Sequence, residues 1–113
     1  MPLCVSLLRR AKANRLSAKI QQLAEIDRII HEPARLMIVA LLAAVEEADF
    51  QYLRQTTGLT QGNLSAHLSK LEDAGYLAIE KTFRGKYPLT ICRLTERGRE
   101  VLDKYRKVIK AAL

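Results

Sequence analysis

Gln61, Asn63 and Ser65 stand at every second position near the start of one short segment, with Ser69 and Lys70 a turn further on. Glutamine and asparagine each present a donor beside an acceptor, the pair that matches the exposed edge of adenine, and serine can donate to a base or a phosphate. At 100° per residue Leu64, Leu68 and Leu71 share one side of a helix. Gly62, Ala66 and Ser69 share the other, with Asn63, Ser65 and Lys70 on its flanks. Small side chains along the centre of that outer face let the helix backbone approach a surface closely. The free amides at the helix start, after Thr60, favour phosphate. The chemistry these residues can do is the reading of base edges, with Gln61, Asn63 and Ser65 as base contacts and Lys70 on phosphate. The competing reading is an ordinary solvated polar face. A second group, Lys81, Arg84, Gly85 and Lys86, puts three cations around a glycine turn, suited to a phosphate backbone or a minor groove.

Positioning these groups requires a particular order of elements. Leu16, Ile20, Leu23, Ile26 and Ile30 recur every three or four residues and predict a helix ending near His31-Glu32, because Pro33 disfavours helical geometry in the residue before it. Pro33 suits the first turn of the next helix, which runs to about Val45 and is apolar almost all round, so it is expected to be central and buried. Asp49 caps a short helix from Phe50 to Thr57, which Gly58 stops. Thr60 caps the helix that runs to about Ala74 and is stopped by Gly75. Two short helices joined by a tight glycine-containing turn form a helix-turn-helix. Leu77, Ile79, Lys81 and Phe83 then alternate with Ala78, Glu80, Thr82 and Arg84, a strand pattern. Arg84-Gly85-Lys86 turns the chain back, Pro88 fits the edge of a strand from about Leu89 to Leu94, and Thr95 caps a last amphipathic helix to about Ala112. The fold class is therefore mostly α (α+β): a winged helix-turn-helix over Asp49 to Leu94, with a two-stranded β-hairpin wing and amphipathic N- and C-terminal helices.

The 113 residues suffice for one domain, and 49% are hydrophobic. With six aromatic residues and no tryptophan, the core must be chiefly Leu, Ile, Val and Ala. The net charge of +7 points to an anionic partner, but five of those charges belong to Arg9, Arg10, Lys12, Arg15 and Lys19, in an acid-free stretch before residue 25. Such an acid-poor start also has the look of a transit peptide. No apolar run reaches bilayer length, Leu3 to Leu8 is too short for a signal-peptide core, and two cysteines do not make a disulfide framework, so a cytoplasmic, non-membrane protein is expected. Cys4, Cys92, His31 and His67 show no paired ligand spacing, which argues against a metal site or cofactor. A thiol switch at Cys92, in the returning strand, or at Cys4, in the N-terminal tail, competes with reading either as an ordinary small apolar residue, and the residue pattern supplies no electropositive setting for a reactive thiol. No phosphate loop, nucleophile elbow or paired carboxylates suggest an enzyme.

Three runs together are similar to a family of small winged-helix regulators related to the MarR and ArsR groups: Asp27 to Leu36, Leu59 to Glu72 with Ala74-Gly75-Tyr76, and Lys81 to Lys86 with Pro88 and Leu94 to Arg99. The cysteine pair of ArsR-type metal sensors is missing, and residues 1–18 match nothing in the pattern; they are taken as a basic N-terminal extension to a domain over 19–113. The resemblance implies a sequence-specific transcriptional regulator that binds double-stranded DNA as a homodimer through its terminal helices. The apolar positions available for that interface are Leu16, Ile20, Leu23 and Ile30 in the first helix and Leu102, Tyr105 and Ile109 in the last. Winged helices also serve as protein-docking modules without DNA binding, the alternative function for this pattern.

Overall fold

The computed structural model describes Pro2–Leu113, with side chains from Arg9 onward. Its elements in chain order are α1 (Pro2–Gln22), a short 3₁₀ turn (Leu23–Glu25), α2 (Pro33–Val45), β1 (Glu47–Asp49), α3 (Phe50–Thr57), α4 (Gln61–Asp73), β2 (Leu77–Arg84), β3 (Tyr87–Leu94) and α5 (Glu96–Ala112). Two compact units divide the chain, Met1–Ile26 with Lys104–Leu113, and Asp27–Asp103.

In the first unit, α1 runs continuously across residue 18, and Cys4 lies outside the residues whose side chains are described. Every side chain from Arg9 to Gln22 is exposed. The helix expected to reach His31 ends early instead, with Ile26 already extended at ψ 139°. Asp27 decides this. Its Oδ1 accepts from the backbone N–H of Ile29 (2.9 Å) and of Ile30 (3.0 Å), and its Oδ2 accepts from the hydroxyl of Tyr76. An aspartate that holds the amides two and three residues ahead offers the chain a turn in place of a helix. The periodicity of Ile26 and Ile30 is thus not helical in origin.

The second unit holds the core, with Ile30, Ile38, Leu42, Leu53, Leu64 and Leu71 completely buried. Helix α2 departs from the expectation of all-round burial. It buries Ala34, Arg35, Ile38, Val39 and Leu42, while Met37 on its other side is 44% exposed. Its cap is Glu32, whose Oε2 accepts from the Arg35 N–H at 2.8 Å. The sheet has three strands in the order β1-β3-β2, all antiparallel, so the wing is a hairpin with a third, three-residue strand added. Glu46, at φ 71°, makes the sharp exit from α2 that brings β1 alongside β3. On the sheet face away from the helices, Arg93 joins Glu47 at 2.8 Å and Glu80 at 3.0 Å, linking all three strands. Pro88 is accommodated although β3 is central. Gly85 and Lys86 form a two-residue turn, so Arg84 and Tyr87 exchange the hydrogen bonds and the next pair, Phe83 and Pro88, does not. The proline nitrogen therefore points away from β2, where β1, which pairs only with Ile91 to Arg93, does not reach.

The capping aspartate and threonines act as expected. Asp49 accepts from Tyr52 N–H, Thr60 from Asn63 N–H, and Gly58 and Gly75 take the positive φ that ends α3 and α4. Thr95 does more than cap. Its Oγ1 accepts from Gly98 N–H and donates to the Gly75 carbonyl, which fixes the start of α5 to the end of α4.

Tyr76, 5% exposed, adds a pH-dependent component. Burial and then the hydrogen bond to the Asp27 carboxylate push its phenol up to about 12. Its neutral form contributes full stability below about pH 10, the ordinary tyrosine value, and loses it as pH rises through 12. We expect an alkaline loss of about 2–3 kcal/mol across that window in chemical denaturation, and Tyr76→Phe to abolish it. A wild-type stability that stays flat across that window contradicts this role.

Candidate nucleic-acid interface

The leucines of α4 pack inward as predicted: Leu64, Leu68 and Leu71 are buried. The predicted site residues Thr60, Gln61, Gly62, Asn63, Ser65, Ala66, Ser69 and Lys70 are all exposed. The structure separates them into two flanks. Gln61, Ser65 and Ser69 line a groove of about 560 Å³ between α4 and the wing, with Lys81 and Thr90 from the strands. Asn63 and Lys70 lie on the opposite flank, one turn from His67. Between the flanks, Gly62 faces open space, so a closely approaching surface meets helix backbone there. Thr60 is engaged as the cap, its hydroxyl oxygen accepting from Asn63 N–H at 3.2 Å.

The groove wall formed by the wing follows from strand register. Leu77, Ile79, Lys81 and Phe83 share one sheet face with their partners Leu94, Cys92, Thr90 and Pro88. Leu77, Cys92 and Leu94 are buried beneath the helices, and Lys81 emerges where that face passes beyond them. Arg84, Gly85 and Lys86 are exposed at the tip. Among the described residues, Glu72 is the one acid lining the groove. A concave strip with amide and hydroxyl groups on one wall and a lysine on the other can take hydrogen-bonding edges between flanking anions.

One tie that holds α4 in place escaped the sequence reading. Arg35, 9% exposed on the buried face of α2, donates from Nε to the Ile29 carbonyl at 2.6 Å and from Nη1 to Nδ1 of His67 at 3.1 Å. Glu32 stands 3.7 Å from that same ring nitrogen. Burial raises the Glu32 carboxyl, but the N–H groups of Arg35 and Ala34 and the charge of Arg35 hold it below its usual range. His67 is thus a bonded helix residue, and through it the start of α2 grips the middle of α4. The available signal was the position of Arg35, which falls in phase with the buried Ile38, Val39 and Leu42 of an otherwise apolar helix.

The positions assigned to a dimer interface divide as well. Leu16 and Ile20 are about half exposed, and Leu23, Tyr105 and Ile109 are half-buried. Ile30 and Leu102 are instead core residues of a single chain, 0% and 2% exposed, and have no apolar surface left to give a partner. Among the described residues no three His, Cys, Asp or Glu side chains gather as a metal group, and no helix is long and apolar enough to cross a membrane.

Cys92 is fully buried, and burial followed by the negative charges of Glu72 and Asp49 pushes its thiol up to about 11. Thiolate is the reactive form, so the folded Cys4→Ser variant should leave Ellman's reagent unreacted at neutral pH and titrate one thiol once denatured. Prompt reaction of the native variant would contradict this burial.

The winged helix DNA-binding domain family matches residues 34–113. An uncharacterised protein of Methanocaldococcus jannaschii is 36% identical over 78 residues, which are 69% of this chain and 85% of that one. Among solved structures, a transcriptional regulator homologue from Pyrococcus horikoshii OT3 superposes with a TM-score of 0.76 at 30% identity, covering 80% of this chain and 92% of its own. The transcriptional repressor CouR, solved on a DNA duplex, has a TM-score of 0.65 at 24% identity over 92% of this chain and 70% of its own, a likeness of fold. MarR-family and ArsR-family regulators share that fold too. The chain therefore belongs to the winged helix DNA-binding domain family, whose members are binding proteins rather than enzymes.

Proposed function

We propose that the protein is a sequence-specific transcriptional regulator of the cytoplasm that binds double-stranded DNA as a homodimer. Helix α4 lies in the major groove, and the wing lies on the backbone or in the adjacent minor groove. The observation that carries this reading is the groove itself: Gln61, Ser65 and Ser69 face Lys81 across a strip open to the surface. In such docking the first turns of the second helix meet the base edges. Gln61, Asn63 and Ser65 are the base contacts, and Lys70, Lys81, Arg84 and Lys86 hold phosphates. Leu16, Ile20, Leu23, Tyr105 and Ile109 supply the apolar surface for the dimer, which sets two α4 helices about 34 Å apart, one turn of duplex.

Selection of the full chain against random duplex DNA, followed by sequencing, tests the reading. Enrichment of a two-fold symmetric site is expected. Retention without any enriched sequence would remove the sequence-specific part, and no retention at low salt would remove DNA binding altogether. Sedimentation at micromolar concentration is expected to give a dimer, and a monomer there would overturn the assembly.

A further inference from the structure

The wing tip exposes two aromatic rings that the fold does not use. Phe83 is 69% exposed and Tyr87 78%, and they sit either side of the turn on opposite sheet faces. Phe83 faces Pro88 across a non-hydrogen-bonded pair, the spacing at which opposed side chains come closest. These two continue, beyond Lys81 and Thr90, the same face that forms the groove with α4. Tyr87 stands opposite Arg84 on the other face. From Lys81 to Pro88 there are three cations and no acid. An exposed apolar residue by itself needs no explanation. Two large rings and a proline on one protruding, acid-free cationic tip fit a particular surface, one that is apolar at its centre and anionic at its rims. The minor groove of a duplex is such a surface, with deoxyribose and base edges between two rows of phosphate.

We propose that the tip enters the minor groove as an apolar wedge, Phe83 and Pro88 seated against the base step and its sugars and Tyr87 against the sugars of the facing strand, while Arg84 and Lys86 lie on the flanking phosphates. This rests on the DNA-binding reading above and adds an interaction that does not depend on charge. Wedge side chains in a minor groove partly unstack the step they meet. The wedge therefore changes affinity without changing salt dependence, because no counterion is released by an aromatic ring.

The test uses the selected duplex, labelled for anisotropy and carrying 2-aminopurine at the step expected beneath the wing. Phe83→Ala and Tyr87→Ala, both at exposed positions, should melt as the wild type does. Each is expected to bind roughly tenfold more weakly with an unchanged slope of affinity against salt. Phe83→Leu, which keeps an apolar side chain, should recover most of the affinity. Wild-type binding should raise 2-aminopurine fluorescence, and Phe83→Ala should not. Wild-type affinity and fluorescence in both alanine variants would overturn the wedge while leaving DNA binding intact. Failure of the wild type itself to retain any duplex would overturn both readings.

Discussion

Gly98→Ala should be among the most damaging single-methyl changes in this protein. A Cβ built there falls 2.4 Å from the backbone oxygen of Tyr76 and 2.7 Å from Cδ1 of Leu94. The first of these neighbours is backbone, so no side-chain rotation relieves the clash. That same carbonyl accepts the N–H of Thr95 at 3.0 Å, and Gly98 N–H donates to the Thr95 hydroxyl at 3.1 Å. Moving α5 away to make room thus breaks the cap of α5 and the tie from Thr95 to the Gly75 carbonyl together. Overpacking a filled site costs about 1–3 kcal/mol, and the loss of a cap adds about 1 kcal/mol. An effect of about 3 kcal/mol is expected in urea denaturation, a large share of the total for a domain of this size. Gly62→Ala is the internal control. Nothing lies within 4 Å of its added methyl, and alanine is the better helix former, so its stability should equal or exceed that of the wild type. Equal stabilities for Gly98→Ala and wild type would show that the junction of α4, β2 and α5 is loosely packed.

The largest functional effect is expected from Arg84→Ala combined with Lys86→Ala. Both residues are exposed, and their removal touches no buried group. The melting temperature should therefore not move. DNA affinity should fall by roughly 10- to 100-fold near physiological salt, and the slope of log affinity against log salt should lessen by about one for each phosphate that is no longer neutralised. The sequence preference recovered by selection should stay the same, since phosphate contacts carry no base information. Gln61→Ala separates the two roles. It should relax preference at one position of each half-site while leaving the salt slope unaltered. If the double variant binds with wild-type affinity and slope, the wing does not touch the backbone.

Most of the element order was legible because it depends on local chemistry. Asp49, Thr60, Gly58, Gly75 and Thr95 each act within a few residues of themselves, through a cap or a positive φ, and each stands where expected. The alternation from Leu77 to Phe83 likewise set which residues of the first wing strand share a face, since period two puts neighbours on opposite sides, whereas the register came from the two-residue turn that starts β3 at Tyr87 rather than about Leu89. The exposed polar face of α4 followed from the spacing of three leucines.

What the sequence could not determine were features that depend on partners far along the chain. Asp27 ends the first helix only because it takes the Ile29 and Ile30 amides while the hydroxyl of Tyr76, 49 positions later, holds its other oxygen. Strand β1 is three residues long, with no periodicity to detect, and exists because β3 offers it a free edge. Ile30 and Leu102 carry the same apolar character as Leu16 and Ile20, and only the packed chain shows which pair it consumes and which it leaves outside. The groove between α4 and the wing is likewise a tertiary product. Gln61, Asn63 and Ser65 are neighbours in sequence, but helix geometry and the position of the sheet put Gln61 and Ser65 opposite Lys81 and turn Asn63 to the far side. Residue types and local spacing determined what chemistry these side chains can do. Long-range packing, which no short window of sequence contains, decided which of them stand beside the wing and which on the other flank of α4.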